Sequence, residues 1–432
     1  MTGLLLSLVV ASTPITLDEV RSEARNNLQA MVAELTRVQA YEQIAINRGA
    51  LLPQGQLIAG AQRRWSDKPS AYVSNGQVLV ASTVVNNFSL QVTLSQILID
   101  VGRWNTLAQS GAQEAAAAGQ AEDLMEASEF EAVRRFYALF TAQRSLAVLE
   151  ETAQKSKELL GRANALYEAG RGTKGDALAA QVNYATDLNN AIQQRQAVVQ
   201  AQADLASWVG RSETESLVAV EPAALSQPGQ PAPTFDEALG TAKLQRGILR
   251  ATLAQIRAAD AGVWVATSGY IPRLNFAATY TRGSNNYTQA FWHFNENWVW
   301  TAGLNLSWTF FDGLSTPAAV RQAKAVVASN TLTYSQTERD VSGQLRTALS
   351  ALGLQTEALA VLVENRETAT KNLDYFQERF KAGASNTLEV RDAQVKLLGA
   401  ELSLAQTRAN VEVARASLER AMGTLGNNGA KP

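Results

Sequence analysis

Trp298-Val299-Trp300-Thr301-Ala302-Gly303-Leu304-Asn305-Leu306-Ser307-Trp308-Thr309-Phe310 alternates between oily and hydrogen-bonding side chains. Trp298, Trp300, Ala302, Leu304, Leu306, Trp308 and Phe310 fall on one side, and Thr301, Asn305, Ser307 and Thr309 on the other. A period of two is a strand with one apolar and one polar face. Just upstream, Leu274, Phe276, Ala278 and Tyr280 alternate with Asn275, Ala277, Thr279 and Thr281 in the same way. The first half of the chain repeats the pattern with Phe88, Leu90, Val92 and Leu94 against Asn87, Ser89, Gln91, Thr93 and Ser95. A fourth strand is expected at 56–64, where glycines weaken the pattern.

Away from the strands the period changes. Residues 16–48 read as one amphipathic helix with a Thr cap and an acidic first turn, stopping before a Gly and a Pro. Each strand pair is followed by a long helical tract, 102–168 and 313–381, and then, after a break containing Gly, by a shorter one, 176–208 and 386–422. The long tracts would each extend about 100 Å, nearly the length of the two shorter ones end to end. One long helix could therefore pack against two short ones. Frequent Ala, with the run Ala115 to Ala118, permits close approach of helices, as an ordinary bundle core also would.

The order of landmarks points to an internal duplication. Thr16-Leu17-Asp18-Glu19 returns as Thr234-Phe235-Asp236-Glu237, Leu52-Pro53 as Ile271-Pro272, and Asp100-Val101-Gly102 as Asp312-Gly313. Further on, Leu166-Tyr167-Glu168-Ala169-Gly170 returns as Arg379-Phe380-Lys381-Ala382-Gly383, and Trp208-Val209-Gly210 as Ala421-Met422-Gly423. Four of the ten prolines crowd into 221–233. The expected organisation is a signal peptide over 1–12, a first repeat over 13–220, a linker over 221–233, a second repeat over 234–426 and a flexible tail over 427–432. The apolar run Leu4 to Val10, with small residues at Ala11 and Ser12, suits a secretory leader. It lacks the usual basic residue, so a partly buried N-terminus is the competing reading.

Composition removes much chemistry. With 46% hydrophobic and 18% charged residues the chain is too apolar to be disordered. Lys and Arg number 38 against 40 Asp and Glu, leaving no positive field for a phosphate backbone and arguing against nucleic acid as a partner. Zero Cys and one His leave no disulfide, thiolate site, Cys nucleophile or His-cluster metal site. No Gly-rich phosphate loop or nucleophile elbow occurs, so neither enzyme activity nor a cofactor is expected. The lone His293, between Trp292 and Phe294 in the loop 283–296, has no cluster of other ligand types near it.

No run of 18 apolar residues exists to make a spanning helix. Strands with one oily and one polar face suit an outer-membrane barrel, but they equally suit a soluble sheet packed on helices. Four strands are too few to close a barrel, so copies would have to combine. Trp298, Trp300, Trp308 and Phe310 would supply an aromatic belt at the membrane interfaces.

The duplicated order of helix, two strands, long helix, turn and helix, with Asp-Gly after the second strand pair, resembles the TolC family of outer-membrane efflux proteins. The sharpest stretch is Phe380-Lys381-Ala382-Gly383-Ala384-Ser385-Asn386-Thr387-Leu388-Glu389-Val390-Arg391-Asp392-Ala393, and the likeness spans about residues 15–426. The resemblance implies an α+β membrane protein. Three chains would form a twelve-stranded β-barrel continued by an antiparallel coiled-coil α-barrel in the periplasm of a Gram-negative-type envelope. It implies a periplasmic adaptor (membrane fusion) protein, an inner-membrane transporter and outer-membrane lipid as partners. The duct would be passive and serve efflux or type I secretion. A periplasmic or surface coiled-coil scaffold without a pore is the alternative.

On the same resemblance, Glu389 and Asp392, three apart on one helical face, would line the periplasmic entrance as an acidic constriction. Asp176 takes the place of Glu389 in the first repeat, and Ala179 stands where Asp392 would be. Phe380 and Ser385 occupy gate positions where the protein that names the family has Tyr and Arg. Having neither phenol nor guanidinium, they cannot tie the entrance to Asp176 in that way. Gly170 and Gly383 would form hairpin tips facing the adaptor.

Overall fold

The computed structural model describes residues 13–67, 71–75, 77–80, 83–226, 231–293, 295–382 and 384–426. The expected leader and tail, four residues of the linker, and Gly383 lie outside the described residues. The chain runs β1 (Thr13–Ile15), α1 (Leu17–Ala24), α2 (Leu28–Gly49), β2 (Gln54–Trp65), β3 (Ala71–Ser74), β4 (Gln77–Val80), β5 (Val84–Ile99), α3 (Val101–Glu168) and α4 (Lys174–Val209). It continues with β6 (Leu217–Ala219), α5 (Phe235–Gln245), α6 (Gly247–Thr267), β7 (Arg273–Ser284), α7 (Tyr287–Phe291), β8 (Trp298–Ser307), α8 (Ser315–Lys381) and α9 (Thr387–Met422). Among the described residues no helix is long and apolar enough to cross a membrane.

Three expectations are corrected. The helix expected over 16–48 is two, because Asn27 Oδ1 accepts the Ala30 N–H at 2.8 Å and starts α2 afresh after Ala24. The last strand stops at Ser307, so Trp308 and Phe310 lie beyond it. There the Trp308 indole donates to the Tyr270 carbonyl at 3.2 Å, and Gly313 and Leu314 turn the chain with φ of 68° and 70°. Two strand pairs also go unannounced by alternation: β1 lies parallel to β6, and β3 forms a hairpin with β4 around Asn75, whose φ is 51°.

The chain divides into two compact units, each drawn from both halves of the sequence. One comprises residues 37–117 and 252–334 and holds the antiparallel sheet in the order β2-β5-β7-β8. Register puts like residues together across it. Thr93 faces Thr279, which faces Thr301, on the polar side; Val92 faces Tyr280, which faces Trp300, on the other. The Tyr280 and Trp300 rings lie 5.2 Å apart.

The second unit takes the chain through Thr36, Ala118–Ala251 and the chain from Ser335. Its core is cut from helices and the small parallel sheet, with Ile15, Val20, Phe136, Leu139, Leu205 and Leu217 wholly buried. Each such side chain contributes about 1.5–3 kcal/mol by leaving water. Gly119 of α3 and Gly247 of α6 meet backbone to backbone: a Cβ on Gly119 would sit 2.7 Å from the Gly247 carbonyl. Any larger residue at either position forces the two helices apart.

Beside that contact lies a group of charges gathered around a buried arginine. Arg246, nearly buried, places Nε 3.1 Å from Asp123 and Nη1 3.6 Å from Glu126, and also donates to the Arg420 carbonyl. Burial pushes the Glu126 carboxyl up to about 7 against the pull of Arg246, with Asp123 and Glu129 adding to the rise. The folded state therefore holds a proton that the unfolded chain releases near 4.5. Stability from this group is complete below that value and is lost as pH climbs through about 7. Glu126→Gln is accordingly expected to raise the thermal midpoint at pH 8 by a few degrees and to leave it nearly unchanged at pH 5. Melting curves at the two pH values check this, and equal shifts at both would show that the Glu126 proton is not involved.

Candidate functional site

The residues singled out for the channel entrance cluster where α3 turns into α4 and α8 into α9. In the first turn Gly170 takes a φ of 71°, and the Arg171 and Gly172 N–H groups both donate to the Leu166 carbonyl at 2.8 and 2.9 Å. This is how a helix ends in a left-handed residue while its last carbonyls stay satisfied. Thr173 then caps α4. Its Oγ1 accepts the Asp176 N–H at 3.1 Å, and Asp176 Oδ2 accepts the Thr173 hydroxyl at 2.7 Å. The Asp176 carboxylate is thus occupied within its own turn and exposed to solvent.

The second turn is built the same way with different residues. Asn386 Oδ1 accepts the Glu389 N–H at 2.9 Å, and Glu389 Oε2 accepts both the Asn386 N–H and the Ser385 hydroxyl. The Ser385 hydroxyl and then the Asn386 N–H hold the Glu389 carboxyl below the usual carboxylate range, helped by Arg379. Ser385 is therefore a donor to Glu389. Arg379 stacks over the Tyr375 ring at 5.6 Å and donates to the Ala384 carbonyl at 2.8 Å, tying the turn shut. Asp392 points away from this cap and pairs with Lys396 at 2.6 Å on an exposed face.

The two hairpins meet in a cleft of about 180 Å³. Asp176 and Phe380 both line it, whereas Glu389 and Asp392 are not among its lining residues. Phe380 is half-buried at the margin of an apolar cluster that includes Leu373, Val390 and Ala393. In the wall of the cleft lies a charge network that sequence reasoning missed. Arg391 makes a bidentate pair with Asp187, at 2.5 and 2.8 Å, and Asp187 also accepts the Ser156 hydroxyl. Asp187 and Ser156 are only 2% and 3% exposed. The pair links α9 to α4, and Ser156 adds α3. Gln394 Oε1 of the same wall is buried without a hydrogen-bond partner. The only sequence signal was an Asp inside an Ala- and Asn-rich helix, which reads as ordinary surface.

The sequence profile of the outer membrane efflux protein family matches residues 20–211 and 238–424. The chain belongs to this family. It is 26% identical over 392 residues to the outer membrane efflux protein BepC of Brucella suis, covering 89% of this chain and 80% of that one. It is 22% identical over 412 residues to the outer membrane protein TolC of Vibrio cholerae, covering 95% and 91%. In fold it is similar to the open state of the MtrE outer membrane channel of Neisseria gonorrhoeae, with a TM-score of 0.80 at 18% identity over 96% and 91% of the two chains.

Proposed function

We propose that this outer membrane efflux protein is the exit duct of a tripartite efflux or type I secretion system. It is a passive channel in the outer membrane, with its helices in the periplasm, and not an enzyme. The observation that carries the duct is the sheet itself. Among the described residues β2 and β8 each have one strand neighbour, so two edges stay open on a sheet with one oily face. Open edges cannot face lipid because their N–H and C=O groups would lack partners. Joining β8 of one copy to β2 of the next satisfies both edges, and three copies make a ring of twelve strands with the Thr93, Thr279 and Thr301 face inward. Family membership leaves the poreless scaffold without support.

In that trimer Glu389 and Asp392 form rings at the periplasmic entrance, with Asp176 beside them on the neighbouring hairpin. Phe380 and Ser385 stand at the gate, and the turn at Gly170 and its counterpart at Gly383 present tips to a periplasmic adaptor. The adaptor couples the duct to an inner-membrane transporter, which supplies the energy. Purification tests the reading: the protein should require detergent, run as a trimer on native gels and conduct ions in planar bilayers. A soluble monomer without conductance would sink it. Glu389→Gln with Asp392→Asn is expected to shift the reversal potential in a salt gradient towards non-selectivity and weaken block by multivalent cations. An unchanged reversal potential returns both residues to ordinary surface.

A further inference from the structure

The apolar face of β7 does not end in an apolar residue. After Leu274, Phe276, Ala278 and Tyr280 the next side chain on that face is Arg282, whose register partners are Leu90 of β5 and Trp298 of β8. A guanidinium turned towards hydrocarbon would be costly. Arg282 is instead wholly buried. Its Nη2 donates to the carbonyls of Gln289 at 2.7 Å and Glu296 at 3.2 Å, and to that of His293. All three carbonyls come from the connection between β7 and β8, and Gln289 belongs to α7.

The position of α7 follows from its other contacts. Phe88, two residues from Leu90 and so on the same face as Arg282, meets the rings of Tyr287 and Phe291 edge-on at 6.3 and 6.4 Å. The Ser284 hydroxyl donates to Gln289 Oε1 at 2.9 Å, and Ala290 is fully buried beneath. The short helix therefore lies flat on the apolar face of the sheet, over Arg282 and Phe88, and not across the polar face. It sits at the opposite end of the strands from the ends that lead into α3 and α8. What this level of the sheet presents outward is Tyr287 and Trp292, 56% and 71% exposed, with Trp298 alongside.

We propose that α7 and the turn after it form a strap that seats in the headgroup layer of the outer leaflet, with Arg282 as its clasp. The partner is the lipid surface. Tyr and Trp have an apolar body and a polar edge, which suits that layer, and the strap continues the apolar surface of the strands beneath it. Arg282 holds the strap through backbone carbonyls, so its charge is kept off the lipid face and the helix end gains a cation. The proposal rests on the barrel reading above.

The absence of native Cys makes the test direct. Single replacements Trp292→Cys and Leu304→Cys, labelled with an environment-sensitive fluorophore, are placed in proteoliposomes containing nitroxide lipids with the spin label either near the headgroup or deep in the chain. The 292 label should emit blue-shifted and be quenched more by the shallow nitroxide, and the 304 label more by the deep one. If 304 is unquenched, the barrel reading itself fails. If 304 is quenched but the 292 label emits as in water, or is shielded from both lipid nitroxides and aqueous iodide by a neighbouring chain, the strap is overturned. Adding Arg282→Met to Trp292→Cys should release α7, red-shift the label and lose the shallow quenching. Quenching that survives in a folded trimer would remove Arg282 from the role of clasp.

Discussion

Arg391→Leu is expected to destabilise the helical hairpins by about 3–5 kcal/mol, because it leaves a buried carboxylate without its cation. Asp187 is 2% exposed and accepts two guanidinium hydrogen bonds from Arg391 and one from Ser156. Removing the guanidinium leaves this buried charge with the Ser156 hydroxyl to answer it. The double variant Asp187→Leu with Arg391→Leu should recover most of the loss, since a buried pair replaced by apolar groups is often neutral. Thermal and denaturant unfolding of the four members of the cycle measure the coupling. Additive effects would mean that the pair contributes nothing specific. Because the link joins α9 to α4 beside Asp176 and Phe380, Arg391→Leu should also loosen the cleft they share, which bilayer recordings would register as unstable conductance.

The second large effect concerns the sheet. Leu304→Arg or Leu306→Arg should cost about 2–4 kcal/mol each if these residues meet lipid near the midplane, and Asn305→Arg should be tolerated in a watery lumen. The register supports the contrast: Leu304 faces Phe276 and Leu306 faces Leu274, whereas Asn305 faces Asn275. Trimer yield on native gels is the measurement. Equal damage at 304, 305 and 306 would remove the assignment of one face to lipid and the other to water.

Local order was readable because it is written in neighbouring residues. The alternation around Leu304 and Tyr280 depends only on side chains two apart, and the ends of α4 and α9 are set by neighbouring residues, Thr173 and Gly210 for the one and Asn386 and Gly423 for the other. The break at Asn27 was within reach of the same reasoning, since Asn at that position can start a helix, but the surrounding amphipathic period concealed it. The end of β8 was harder, because Trp308 keeps the alternation going although the pairing with β7 ends at Ser307 and Arg273, just after Pro272.

The candidate site divides the same way. Glu389 and Asp176 could be placed at the starts of their helices from sequence, and the binding of each carboxylate within its own capping turn is itself a contact over three residues, yet nothing local says that Asp176 shares a cleft with Phe380. Arg391 and Asp187 are 204 residues apart, and no periodicity reports a pairing between separate hairpins. Arg282 is the sharpest case. The register puts it on the face of Tyr280 and Trp298, but whether it meets lipid depends on where α7 lies. The sequence by itself determined strand faces, the lengths of the four helices of the two long hairpins, and family, all carried by short-range patterns of polarity. Only the tertiary structure decided which charges are buried and by what they are answered, because those partners are brought together through space by packing and not by position along the chain.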